Sequence, residues 1–143
     1  MDEFADCMVT NARMAARAVT RRYDGYLRPF GLTATQLSLL GAIHANPGAT
    51  VSALAEKRGF ERTTLTRNLD RLESLGHVVS MHPERGNGRI ARITKQGGAL
   101  LEQLLPLWRK AQQDLRTDLS PEAFDGSITM LQRLANLKQQ DLT

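Results

Sequence analysis

The chain has 143 residues, enough for one domain with a core of its own. Its 41% hydrophobic and 24% charged content exclude a disordered chain, no apolar run approaches a membrane span, and the start Met1-Asp2-Glu3 is not a signal peptide. A net charge of +4 and a pI near 9.7 permit a nucleic-acid partner without requiring one, and a single cysteine excludes an intrachain disulfide, so a reducing cytoplasm is the expected home.

From Phe4 to Leu27 no proline intervenes, and Cys7, Met8, Ala12, Ala15, Ala16, Val19, Tyr23 and Tyr26 approximate the stripe of a helix whose last turn Gly25 weakens. Arg13, Arg17, Arg21 and Arg22 recur on another side, which reads as a solvated or ion-paired face, with an anion pocket as the other reading. Pro29-Phe30-Gly31 breaks this helix. Thr33 and Gln36 then form a capping box, with Leu32 and Leu37 at the two positions of a hydrophobic staple. Leu37, Leu40, Ile43 and His44 share related faces of the second helix, which Asn46-Pro47-Gly48 ends; His44 reads as a half-buried core residue or a ligand contact.

Thr50 is the N-cap of a short helix from Val51 to Arg58, and Gly59 stops it. The next helix carries Leu65, Leu69 and Leu72 on one narrow stripe. Arg62, Thr63, Thr66, Arg67, Asp70 and Arg71 point elsewhere, and Leu75-Gly76 closes it. Two such helices joined at Gly59-Phe60 fit a helix-turn-helix, whose second helix offers its N-terminal residues to base edges in the major groove. The groove-facing candidates are Arg62, Thr63, Thr64, Thr66 and Arg67. Arginine pairs bidentately with guanine, and threonine offers a hydroxyl and a methyl. Glu61 is a poor cap that would repel a phosphate, although it suits the helix dipole. His77 to His82 is β-prone, Gly86-Asn87-Gly88 supplies an Asn-Gly turn, and Arg89 to Ile93 returns, so a hairpin follows with Arg85 and Arg89 beside its tip. Pro83 ends the outgoing strand or lies on an edge.

Thr94 caps a helix from about Lys95 to Arg116, with Leu100, Leu101, Leu104, Leu105, Trp108, Ala111 and Leu115 on its apolar face and Pro106 placed to kink it. Ser120-Pro121 opens a last helix carrying Phe124, Ile128, Leu131, Ala135 and Lys138. These flanks hold more apolar surface than a small winged helix can cover, so they are expected to pair with the same helices of a second copy.

Helix-turn-helix plus β-wing, entered through Gly31 to Gln36 and left through Arg92 to Gly97, resembles the MarR family of bacterial winged-helix regulators, and Thr64 to Val79 is similar to that family's recognition helix and wing start. The resemblance implies a mainly α fold with a small β-wing: one MarR-type domain over 1–143, with 33–94 the winged helix-turn-helix and 1–32 and 95–143 the dimerisation helices. Family members often carry Asp-Arg-Arg at the wing. Here the corresponding run is Arg85-Gly86-Asn87, so the tip arginine is replaced by Asn87 and its role passes to Arg85 or Arg89. The resemblance also implies a pocket for a small aromatic or amphipathic effector, for which Arg17, Tyr23, His44 and Trp108 have suitable chemistry. Some members sense oxidants through a cysteine in the first helix, and Cys7 lies in that helix; its other reading is a small hydrophobe in the dimer seam.

No metal-ligand spacing, phosphate loop or nucleophile motif is present in the sequence, so neither an enzyme nor a cofactor is expected. The expected function is that of a homodimeric regulator, a repressor binding a pseudo-palindromic site in double-stranded DNA and released by a ligand or by oxidation. A winged helix that only docks proteins is the rival reading, and a thiol-dependent redox protein resting on Cys7 is a third.

Overall fold

The computed structural model describes residues 1–83 and 88–137. In chain order the elements are α1 (Met8–Leu27), α2 (Ala34–Ala45), α3 (Val51–Arg58), α4 (Arg62–Ser74), β1 (Val78–Met81), β2 (Ile90–Ile93), α5 (Lys95–Leu119) and α6 (Pro121–Ala135), with a 3-10 turn over Arg28–Phe30. The chain divides into two compact units, Met1–Trp108 and Arg109–Thr143.

Local chemistry sets the element ends. The Asp2 carboxylate accepts from the Phe4 N–H, so the first residues turn on themselves and α1 begins at Met8, later than the apolar stripe suggests. At α2 both bonds of the capping box form: the Gln36 N–H donates to the Thr33 hydroxyl at 3.3 Å, and the Thr33 N–H donates to Gln36 Oε1 at 3.1 Å. Leu32 and Leu37, flanking that box, are both buried. The Thr50 hydroxyl accepts from Ala53, and Gly59 adopts φ 69°, a left-handed turn that a side chain would strain.

The core of the first unit gathers Leu27, Leu32, Leu39, Leu40, Ile43, Leu54, Leu65, Leu69, Leu72, Val78, Ala91, Leu101 and Leu104. Every element of the helix-turn-helix contributes, so α3 and α4 are held by burial rather than by propensity. The hairpin is antiparallel, with Val78 opposite Ile93 and Ser80 opposite Ala91, and a bridge from Thr50 to Ile90 ties it to the start of α3. Pro83 falls outside β1, as its missing N–H requires.

Thr94 caps α5 through the Gly97 N–H at 3.0 Å and donates its own hydroxyl to the Gly76 carbonyl at 2.6 Å, so one side chain joins the end of α4 to the start of α5. α5 continues through Pro106, which offers no N–H to the Glu102 carbonyl. Within the second unit, Arg116 forms a two-pronged bond with Asp125 at 2.7 and 3.1 Å and lies 5.6 Å from the centre of the Phe124 ring. Phe124 is buried. Ile128 and Leu131 on the same stripe are 39% and 58% exposed, and Lys138 lies outside the described residues.

Candidate nucleic-acid interface

α4 divides cleanly by chemistry. Leu65, Leu69 and Leu72 have no exposed surface, whereas Arg62, Thr63, Thr66, Arg67, Asp70 and Arg71 are all exposed. Arg62, Thr63, Thr66, Arg67 and Asp70 line one shallow groove of about 520 Å³. Thr64 is half-buried, and its carbonyl accepts from the Asn68 side chain. Arg62 donates to the Ser52 hydroxyl at 3.2 Å, which steadies its guanidinium beside α3 without burying it. Glu61 occupies the N-cap with no cap bond from its side chain, leaving the first N–H groups of α4 open. Such a face offers forked donors, hydroxyls and the positive end of a helix to a polyanion.

The wing residues fare differently. Arg85, together with Gly86 and Asn87, lies outside the described residues. Arg89 turns back toward α4: its Nη2 lies 2.7 Å from Glu73 Oε2 and 2.9 Å from Asp70 Oδ1, and its Nε donates to the Ser80 hydroxyl at 2.8 Å. The Ser80 N–H donates to the other Glu73 oxygen at 2.8 Å. That amide, and secondarily the Arg89 guanidinium, hold the Glu73 carboxyl below the usual glutamate range.

A second site lies among α1, α2 and the first part of α5. A cavity of about 410 Å³ is lined by Tyr23, Leu37, Ser38, Gly41, Arg58, Leu105 and Trp108 among others. Its size suits a small ligand, its wall is mostly apolar, and Arg58 supplies a cation. Burial pushes the Tyr23 phenol pKa up. Of the four residues named for their chemistry, Tyr23 and Trp108 line this cavity. His44 is exposed near the C-terminal end of α2, beside Pro47 and Arg92, which corrects its half-buried reading, and Arg17 sits with Ala16, Thr20 and Arg21 on α1. Arg17 misses by its angle around α1 and His44 by its position along α2. Arg17 is six residues before Tyr23, about 240° around the same helix, and His44 lies about two turns beyond Leu37 along α2, past the last lining residue Ala42. Arg58, Ser38 and Gly41 were not anticipated; the spacing of Leu37, Ser38 and Gly41 was the available signal.

Cys7 is the N-cap of α1 and partly exposed. The Thr10 N–H, the Thr10 hydroxyl and the Val9 N–H lower its pKa without closing a cap bond to it. Tyr23 and Tyr26 lie more than four turns further along the same helix, so only a second copy could bring them to the thiol. No group of three or more His, Cys, Asp or Glu is placed to hold a metal among the described residues, and no helix there is long and apolar enough to cross a membrane.

A family model described as MarR family matches residues 30–90. The multiple antibiotic resistance protein MarR of Escherichia coli is 30% identical over 115 residues, which cover 80% of this chain and 78% of that protein. The chain belongs to the MarR family. Among solved MarR-family structures, the transcriptional regulator MosR of M. tuberculosis is 35% identical, with a TM-score of 0.78 over 94% of this chain and 99% of that one. MosR in complex with DNA superimposes with a TM-score of 0.73 over 92% and 100% of the two chains. E. coli MarR carrying C80S and complexed with operator DNA is 25% identical, with a TM-score of 0.81 over 94% and 99%. The family relatives are transcriptional regulators, and the mainly helical fold with its two-stranded wing is theirs.

Proposed function

We propose that this MarR-family regulator acts as a homodimeric repressor in the cytoplasm, each copy laying α4 in a major groove of a pseudo-palindromic operator. The carrying observation is the bare Arg/Thr face of α4, set opposite a leucine stripe with no exposed surface. Arg62, Thr63, Thr66 and Arg67 read bases or phosphates, half-buried Thr64 shapes the start of the surface, and Arg85, outside the described residues, is assigned the minor-groove or phosphate contact on its sequence position alone. MosR and MarR, whose folds this chain shares, have each been solved on DNA.

Residues 33–94 form the winged helix-turn-helix, and the long helices in 1–32 and 95–143 form the dimer. Met8, Val9, Met14 and Val19 on α1 and Ile128, Met130 and Leu131 on α6 expose apolar side chains that a second copy would cover. Adjacent recognition helices of a twofold dimer should then lie roughly 34 Å apart. Selection of duplexes from a random pool should enrich two inverted half-sites bound by two chains; recovery of a single half-site, or no enrichment, would reject the reading.

Release follows from a small aromatic or amphipathic acid in the cavity beside Tyr23, Arg58 and Trp108, because a ligand that favours one spacing of the two α4 helices shifts the other equilibrium equally. Oxidation is a second route, favoured by the partly exposed Cys7 and its lowered pKa. Peroxide should then weaken operator binding by wild type and leave Cys7→Ser unchanged.

A further inference from the structure

Arg89 is the point at which four elements of the winged helix meet. Its carbonyl accepts from the Val51 N–H at 2.7 Å, fixing β2 to the first residue of α3, while its side chain spans from Ser80 on β1 to Asp70 and Glu73 on α4. The side chain is 22% exposed, and three of its contacts lie within 2.9 Å, so it is occupied rather than extended toward solvent. Its two acidic partners stand on the helix that carries the exposed arginines, and Asp70 lines the same groove as Arg62 and Arg67. Uncompensated, they would set negative charge where phosphates must approach.

We propose that Arg89 is a positioning residue for the recognition surface: it masks Asp70 and Glu73 and pins the base of the wing to α4, and it does not itself contact DNA. A guanidinium suits this task because its fork serves several acceptors from a fixed plane, which a lysine ammonium cannot reproduce. The proposal rests on α4 being the DNA-reading helix, and it reverses the direct contact expected for Arg89 from its place in the hairpin.

The test compares wild type, Arg89→Gln, the double variant Asp70→Asn/Glu73→Gln and the triple variant, using the duplex that wild type enriches from a random pool, over a range of salt. Arg89→Gln alone should weaken binding about tenfold or more, yet change it less than about twofold once both acids are neutral. A direct phosphate contact would instead cost the same factor in both backgrounds and flatten the salt slope by about one unit, and that result overturns the proposal. If Arg89→Gln alone does not fold, the triple variant against the double variant still decides, since neither contains the unmasked acids. An arm without DNA runs alongside: Arg89→Gln should lower the unfolding midpoint by about 3 °C more in wild type than in the double variant, and equal shifts would remove the latch. Failure of wild type to enrich any duplex would instead reject the DNA-binding reading, leaving the latch to the unfolding arm.

Discussion

Arg67 stands exposed on α4 in the same groove as Thr63, Thr66 and Asp70, with Leu65 and Leu69 buried beneath it. Replacing it with alanine should cost about 1–3 kcal/mol of operator binding and relax preference at a single base pair, as expected for a guanidinium paired with guanine. Competition between the operator and single-site variants measures this, and unchanged affinity and preference would take Arg67 out of the interface. Two adjacent glycines give an independent test at the same scale. A Cβ on Gly97 would overlap the His77 carbonyl oxygen, so Gly97→Ala should destabilise by about 1–3 kcal/mol or more. Gly98, next to it in the same helix, faces open space, and Gly98→Ala should stabilise by roughly 1 kcal/mol. Denaturant unfolding reads both; shifts of the same sign would mean that the seat of α5 on the wing is wrong.

At the scale of elements, the junction between α4 and the wing is ionic and therefore responds to acid. Glu73 binds protons less readily folded than unfolded, because the Ser80 N–H and then Arg89 favour its carboxylate. The stability it lends is complete above its unfolded pKa and drains away as pH falls through the lower folded one. The unfolding midpoint should therefore drop as pH falls below about 4.5, and drop less steeply in Glu73→Gln. Parallel pH profiles for the two proteins would contradict the junction.

Legibility in the sequence divided along the same line. Signals carried by neighbours three or four residues apart were readable: the Thr33–Gln36 box, the Thr50 cap, Ser120-Pro121 and the leucine stripe of α4 all formed where the spacing required. The acidic partners of Arg89 lie 16 and 19 residues away on another element, and a hairpin pattern alone places such a residue at a tip. Arg58 reaches the cavity only because α3 packs beside α2, a tertiary fact that no local spacing encodes.

For the whole molecule, the apolar residues left exposed on α1 and α6, together with the positive surplus of the chain, are what the proposed dimer would use: two copies joined through their long helices, holding two α4 faces toward one duplex. The most direct measurement is affinity at physiological salt for the selected duplex, for the same duplex with one half-site scrambled, and for random sequence. The selected duplex should bind about a thousandfold or more tighter than random DNA, with the half-scrambled duplex in between. Equal affinity for all three would contradict the claim that α4 reads sequence through a twofold dimer.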